Sequence, residues 1–238
     1  MRSRPLPRFD VHRTMAPNVA TAAALIADPT RAAMLLALMD GRALTATELA
    51  FEGQVASSTA SSHLARLTDG GLLAMLRQGR HRYFRLASAP VAELLESLLG
   101  LAASDERVAV SVAPGDLALR HARSCYDHLA GQCGVALWNR LHAHAHLSES
   151  DGATLLTPRG EAWCKQLGVD VAALRASRRP LCRPCLDWSE RRMHLAGALG
   201  AALFDRMLAL ALIKRQTQGR ALQVTARGER FLTSLSLD

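Results

Sequence analysis

Residues Ser57–Leu67 read SSTASSHLARL. Serine and threonine are mediocre helix formers, because their hydroxyls compete for backbone hydrogen bonds. Yet Ala60, Leu64 and Leu67 recur at helical spacing, and the run ends at Asp69-Gly70-Gly71, a helix stop. The spacing predicts a helix with one apolar face. The other face carries Ser57, Ser58, Thr59, Ser61, Ser62, His63 and Arg66. The bland alternative is a helix whose polar side is merely solvated.

Working outward, Val19–Ala27 (VATAAALIA) is a short apolar helix stopped by Asp28-Pro29, a cap and first-turn proline for the next helix, Thr30–Asp40. Thr45 opens TATELA with Glu48 three residues on, the spacing of a capping box. Downstream, LLAMLRQGRHRYFRLA reads as two strands about Gly79, carrying Arg77, Arg80, His81 and Arg82. Pro90–Ala103 is a last amphipathic helix. Helix, turn, hydroxyl-rich helix and basic hairpin are the parts of a winged helix-turn-helix. A helix lying in the major groove of double-stranded DNA needs short side chains, hydroxyls for phosphates and bases, and Arg or His for guanine edges. The hairpin's cations suit the neighbouring backbone.

The segments ADPTRAAMLLAL, TATELA, SSTASSHLARLTDGGLL and RQGRHRYFRLA lie within residues 18–103. Together they resemble the ArsR-type bacterial repressors. The resemblance implies a homodimer paired through the first and last helices of this unit, reading a pseudo-palindrome and releasing it when an effector binds. The chain also departs from the family. Its third helix, TELAFEG, has no cysteine, and its last helix offers Glu93 and Glu96 but no histidine. The family's familiar metal sites are absent here, so sensing has to lie elsewhere.

The whole chain supports these readings. Its 238 residues are 49% hydrophobic and carry a net charge of +8. Lys165 and Lys214 are the only lysines, so the positive charge is almost all arginine, which suits phosphate. No apolar run reaches the ~18 residues of a membrane span. The best candidate, LAGALGAALFDRMLALALI from Leu195, is broken by Asp205 and Arg206. With no signal peptide visible, a cytoplasmic protein with reduced cysteines and no membrane partner is expected. Residues 1–16 are expected to be a disordered basic segment, 17–104 the DNA-binding domain and 105–116 a linker.

Residues 117–238 repeat themselves. HLAGQCGVALWNRL (His128–Leu141) matches HLAGALGAALFDRM (His194–Met207), and LTPRGEAW (Leu156–Trp163) matches VTARGERF (Val224–Phe231). The repeats, about 117–180 and 181–238, each read as helix, hairpin, helix. In that reading LHAHAHL and LALALIKR are outgoing strands, while HARSCYDH and DWSERRMH open helices. Gly131/Gly134 and Gly197/Gly200, three apart, would let two helices cross closely, with a ligand pocket at the crossing. The fold class is mainly α with small β-hairpins, α+β: an N-terminal winged helix-turn-helix plus a C-terminal sensor or dimerisation domain.

Candidate chemistry is concentrated in that second domain. CRPC, Cys182 to Cys185, is half a metal site, a redox pair or a thiol trap, or else a pair of incidental core cysteines. The duplication can bring Cys125 near it. His128 and His194 stand at matching positions, and Arg191 or Arg192 would favour an anionic ligand. His142, His144 and His146 would share one strand face, a weak metal site, or else a solvated face. No cofactor is required, and a metal ion is the one candidate. There is no Gly-rich phosphate loop, no GxSxG and no HExxH, so no enzyme is expected. A thiol–disulfide enzyme built on CRPC lacks the strand–motif–helix context. The expected function is a homodimeric repressor released by a thiol-reactive species, a soft metal or a small anionic ligand. The alternative is a ligand-independent DNA-binding protein whose second half is only a dimerisation or partner platform.

Overall fold

Asp28 caps the second helix of the N-terminal domain: its side chain accepts from the Arg31 backbone N–H at 2.9 Å, and Pro29 occupies the first turn. The computed structural model describes residues 19–79, 81–103, 114–216 and 219–237. The expectations for residues 1–16 and for most of the 105–116 linker lie outside these.

Helices α1 (Val19–Ile26) and α2 (Pro29–Ala37) lead through a 3-10 turn at Leu38–Asp40 into β1 (Leu44–Thr45) and α3 (Ala46–Glu52). Thr45 and Glu48 form the capping box at the start of α3, a feature worth about 1 kcal/mol. Helix α4 (Ser57–Asp69) follows, then β2 (Leu73–Gln78), β3 (His81–Leu86) and α5 (Ala89–Ala103). The three strands form one antiparallel sheet in the order β1-β3-β2. Met34, Leu35, Leu49, Ala60, Leu64, Leu67, Phe84, Leu86 and Leu95 fill its core. This is a winged helix-turn-helix with β2 and β3 as the wing.

The second domain opens with α6 (Pro114–His121), so helix begins inside the expected linker. Two runs of elements follow in the same order. The first is β4 (Arg123–Cys125), β5 (His128–Ala130), α7 (Gln132–Ala143), β6 (Leu147–Ser150), β7 (Ala153–Leu156) and α8 (Pro158–Gln166), with α9 (Val171–Arg175) after it. The second is β8 (Arg183–Leu186), β9 (Met193–Ala196), α10 (Gly197–Ala209), β10 (Ile213–Arg215), β11 (Leu222–Val224) and α11 (Ala226–Ser234). Each adjacent strand pair is an antiparallel hairpin.

Two local readings are corrected. HARSCYDH and DWSERRMH do not open helices; they form the hairpins β4–β5 and β8–β9 and their turns. LHAHAHL is not a strand. Cys133, Leu137 and Leu141 continue one buried face at i, i+4, i+8, and this carries α7 to Ala143. Leu199, Leu203 and Met207 do the same for α10. The period-two look of both segments comes from alanine, itself a strong helix former.

The repeated Thr-x-Arg-Gly has a mechanical cause. Thr157 and Thr225 accept from the N–H of Gly160 and Gly228 at 3.0 and 3.1 Å, capping α8 and α11. A Cβ on Gly160 would sit 2.2 Å from the His146 carbonyl oxygen, and one on Gly228 2.0 Å from that of Leu212. Only glycine lets each helix start against the hairpin before it. The glycines at 134 and 200 act similarly, but not between two helices as expected. A Cβ at Gly134 would meet the Leu129 carbonyl and lie 3.5 Å from the His194 Cβ. One at Gly200 would meet the Leu195 carbonyl and lie 3.4 Å from the His128 Cβ. Each helix start therefore presses on the histidine-bearing strand of the other run. Below lies one continuous core that includes Leu137, Trp163, Leu195, Leu203, Phe204 and Phe231.

Candidate functional site

Helix α4 buries Ala60, Leu64 and Leu67 and exposes Ser57, Ser58, Thr59, Ser61, Ser62 and Arg66. Ser61 donates back to the Ser57 carbonyl at 2.9 Å and Ser62 to that of Ser58 at 3.4 Å, so these hydroxyls are satisfied along their own helix. His63 departs from the expected row. Its side chain is only 16% exposed, with Nδ1 3.3 Å from an Arg31 guanidinium nitrogen and 4.0 Å from Asp28. That ring faces the α1–α2 corner, where Arg31 also donates to the Leu25 and Ala24 carbonyls. In the wing, Arg77 pairs in register with Arg82, and Gln78 with His81, all exposed. Arg80 lies outside the described residues. A groove between α4 and the wing is lined by Ser61, Ala65, Thr68, Met75 and Arg82.

Two helices of this domain leave apolar surface uncovered. Helix α1 is apolar and has no buried residue. On α5, Leu94, Leu98 and Leu101 are exposed at spacings of four and three, one face of the helix.

The second domain gathers its chemistry inward. Cys125 on β4 stands opposite His128 on β5, and Cys185 on β8 stands opposite His194 on β9. The two hairpins bring the four side chains together. Their ligating atoms, two Sγ and two imidazole nitrogens, all lie within 4.8 Å of one another. The Nε2 atoms of His128 and His194 are 3.1 Å apart, and the rings stack at 5.0 Å between centroids. The far nitrogens face carboxylates. Nδ1 of His128 lies 3.2 Å from Asp127, and Nδ1 of His194 lies 3.8 Å from Asp187. Arg179 in turn pairs with Asp127.

The electrostatics match this arrangement. The Cys185 thiol is pulled far down by the hydrogen bond from Cys125, against the opposing effect of burial, with His128 and His194 adding to the pull. The Cys125 thiol is pushed up by that same bond and by its burial. Burial opposes a charge on His128, but the bonds to Asp127 and Cys185 prevail and raise its pKa.

Beside this cluster runs a buried ionic network that reaches the N-terminal domain. Burial works against ionised Asp187, yet Arg123 and the Gly131 N–H hold its carboxyl down at about 2. Arg123 is fully buried, 2.9 Å from Asp187, and its guanidinium lies over the Trp188 ring. The same guanidinium is 3.6 Å from Glu96 of α5, and Arg220 is 3.4 Å from that carboxylate. Removing one partner from a buried set of this kind costs roughly 3–5 kcal/mol, because an uncompensated charge remains. Further links are the Tyr126 N–H donating to the Met39 carbonyl at 2.7 Å and Arg215 donating to that of Asp40 at 2.7 Å.

The other expected site residues stand apart. Cys182 does not join Cys185. Cys182 lies before β8 and packs on the hydrophobic core, its thiol pushed up to about 11 by burial. Arg191 and Arg192 sit exposed on the β8–β9 turn rather than in a cleft. The three histidines share no strand face: His142 is on α7, His144 caps it and His146 follows. His142 packs on Trp138 and lies 3.5 Å from Glu149, while buried His146 stacks on Trp163. Asp127, Asp187, Arg123, Glu96 and Arg220 join the site without a sequence motif to announce them. The one signal in the chain is the cysteine shortly before each repeated HLAG, in Cys125-x2-His128 and Cys185-x8-His194.

Residues 26–75 match the family model described as a helix-turn-helix domain. The uncharacterized HTH-type transcriptional regulator YdfF of Bacillus subtilis (strain 168) is 40% identical over 215 residues, 90% of this chain and 95% of that protein. The chain belongs to the HTH-type transcriptional regulators. The alignment runs through both domains, so the Cys/His-bearing half is part of what this regulator shares with its relative. Among solved structures, the homodimeric winged helix-turn-helix DNA-binding domain of Mb0332 from Mycobacterium bovis, a possible ArsR-family regulator, is 26% identical. It covers 43% of this regulator and 93% of its own chain, with a TM-score of 0.36. The AntR antimony-specific transcriptional repressor is 28% identical over 42% of this regulator and 90% of its own chain, with a TM-score of 0.37. Among the described residues, no single helix is long and apolar enough to cross a membrane.

Proposed function

We propose that this regulator is a homodimeric repressor acting in the cytoplasm, and that its C-terminal domain senses the effector that releases it from DNA. The carrying observation is the exposed hydroxyl-and-arginine side of α4, with Ser57, Ser58, Thr59, Ser61, Ser62 and Arg66, joined to the wing by a groove that Ser61 and Arg82 line, on a wing whose Arg77 and His81 are also exposed. In this reading α4 enters the major groove, Arg66 reads a guanine edge, and the wing follows the phosphates. His63 positions the α1–α2 corner instead of contacting bases. The dimer forms through α1 and the Leu94/Leu98/Leu101 face of α5, which supplies the apolar area that pairing requires. Homodimeric pairing of this kind also fits the ArsR-type resemblance of residues 18–103.

Sensing is supported by the position of Glu96. It lies on α5 yet is buried among Arg123 and Arg220 of the second domain, beside the Cys/His cluster. A change at that cluster therefore acts on the helix proposed to pair the subunits. Of the effector classes expected, thiol-reactive species fit the buried sulfurs better than an anion does, since Arg191 and Arg192 sit exposed on a turn.

The test is a duplex titration against a DNA site selected from a random pool. Arg66→Ala should weaken binding to the selected site more than to random duplex. Equal losses on both would remove α4 from the interface.

A further inference from the structure

We propose that Cys125, His128, Cys185 and His194 together bind one divalent metal ion of the zinc class in a closed tetrahedral site, clasping the two halves of the C-terminal domain. The donor set is two thiolates and two imidazoles, a combination that selects zinc among abundant cations and leaves hard ions such as magnesium unsatisfied. Zinc–nitrogen and zinc–sulfur bonds of about 2.0–2.1 and 2.3 Å imply tetrahedral edges of about 3.3 Å between nitrogens and about 3.8 Å between sulfurs. The observed 3.1 Å between the two Nε2 atoms, and the 4.8 Å limit on all four donors, fit one ion at the centre.

Both histidines are oriented to use Nε2. Asp127 lies 3.2 Å from Nδ1 of His128, within reach to accept its proton, and the Asp187 carboxylate faces Nδ1 of His194 from 3.8 Å, so the carboxylates stand behind both rings and the two Nε2 atoms face the ion. The alternative explanation of the 3.1 Å contact is a hydrogen bond between the rings. That would require one Nε2 to carry the proton, and one histidine would then be charged or lose its Nδ1–H. Burial supports a resident ion: Cys125, His128 and His194 are buried and Cys185 is partly so. Four protein ligands leave no open position for substrate, which is the mark of a structural site and not a catalytic one.

The ligands come in two cross-strand Cys–His pairs, one from each hairpin, so neither half can complete the site alone. Two residues before Cys125 is Arg123, and two residues after Cys185 is Asp187; these two pair with each other and reach Glu96 of α5. The ion therefore fixes the network that meets the DNA-binding domain. Metal binding itself does not depend on the function proposed above. Its effect on DNA affinity does rest on that reading.

The full-length protein, free of a polyhistidine tag and purified without chelator under reducing conditions, is expected to carry one zinc per chain by elemental analysis. Replacing zinc by Co(II) is expected to produce the strong d–d absorption of a tetrahedral ion together with thiolate charge transfer. Cys125→Ser and Cys185→Ser should each abolish that spectrum, while Cys182→Ser should retain both metal and spectrum. If the ligand variants fail to fold, the wild-type stoichiometry and cobalt spectrum still decide. No bound metal with an octahedral cobalt spectrum, loss of metal in Cys182→Ser, or a Cys125–Cys185 disulfide in the reduced preparation would overturn the site. Stripping the ion should weaken binding to a selected duplex about tenfold, within the usual range of coupling between sites. Full zinc occupancy with unchanged DNA affinity would uphold the site and overturn its link to α5.

Discussion

Helix α4 and the paired hairpins β4–β5 and β8–β9 use polar residues in opposite directions. The helix buries its leucines and turns hydroxyls and Arg66 outward, where Ser61 and Ser62 bond only within their own helix. The hairpins turn cysteines and histidines inward, where the four act only as a set. An outward row depends on local spacing and tolerates single losses. An inward cluster depends on two distant segments folding together, and it ties stability to chemistry. Changes in the first should therefore alter affinity without altering stability, and changes in the second should alter both.

The largest expected effect tests the inward side. A resident ion held at about 1,000 times its dissociation constant stabilises by about 4.1 kcal/mol. For a chain of this size that corresponds to roughly 10 °C in the melting temperature. Chelation should lower the calorimetric transition by that amount, and returning zinc should restore it; a transition indifferent to chelator would break the comparison. Next comes pairing. Leu98→Glu places a charge on the exposed apolar face of α5 and should yield monomers in sedimentation. Affinity for a two-half-site duplex should fall roughly a hundredfold as binding of the second half-site ceases to be intramolecular.

Smaller effects belong to the outward side. Arg66→Ala should cost about 1–3 kcal/mol on a selected duplex. Its melting temperature should stay near that of the parent, because exposed substitutions rarely exceed about 0.5 kcal/mol in stability. Arg77→Ala and Arg82→Ala should each reduce the slope of log affinity against log salt by about 1 for every phosphate the arginine no longer neutralises. The smallest change is expected from the triple variant His142→Ala, His144→Ala, His146→Ala. It should keep full zinc content, though removal of the His146–Trp163 stack should lower stability modestly.

The same contrast explains what is legible in the chain. Asp28, Thr45 and Glu48 announce helix starts through neighbours three residues away, and Ala60, Leu64 and Leu67 announce a face through their own spacing. All of that information is local. His63 looks like one more member of the polar row, but its ring turns to Arg31, a residue 32 positions earlier. CRPC reads as a pair, but Cys182 lies before β8 and packs on the hydrophobic core, and the true neighbours of Cys185 include residues about 60 positions upstream. The duplication is visible and aligns His128 with His194. The unequal turns, Tyr126-Asp127 against residues 187–192, hide the matching cysteines by shifting their spacing to the histidine. The alternation in LHAHAHL misleads for a related reason: alanine and histidine say little about period, whereas Leu137 and Leu141 already belong to a helical face.

The most direct test of the inward assembly is X-ray absorption at the zinc edge on the purified, untagged regulator. Two sulfur and two imidazole neighbours at one zinc per chain, lost in His194→Ala and kept in the His142/His144/His146 variant, is the predicted result. A zinc shell of histidine and water alone, or one that survives His194→Ala, would contradict it.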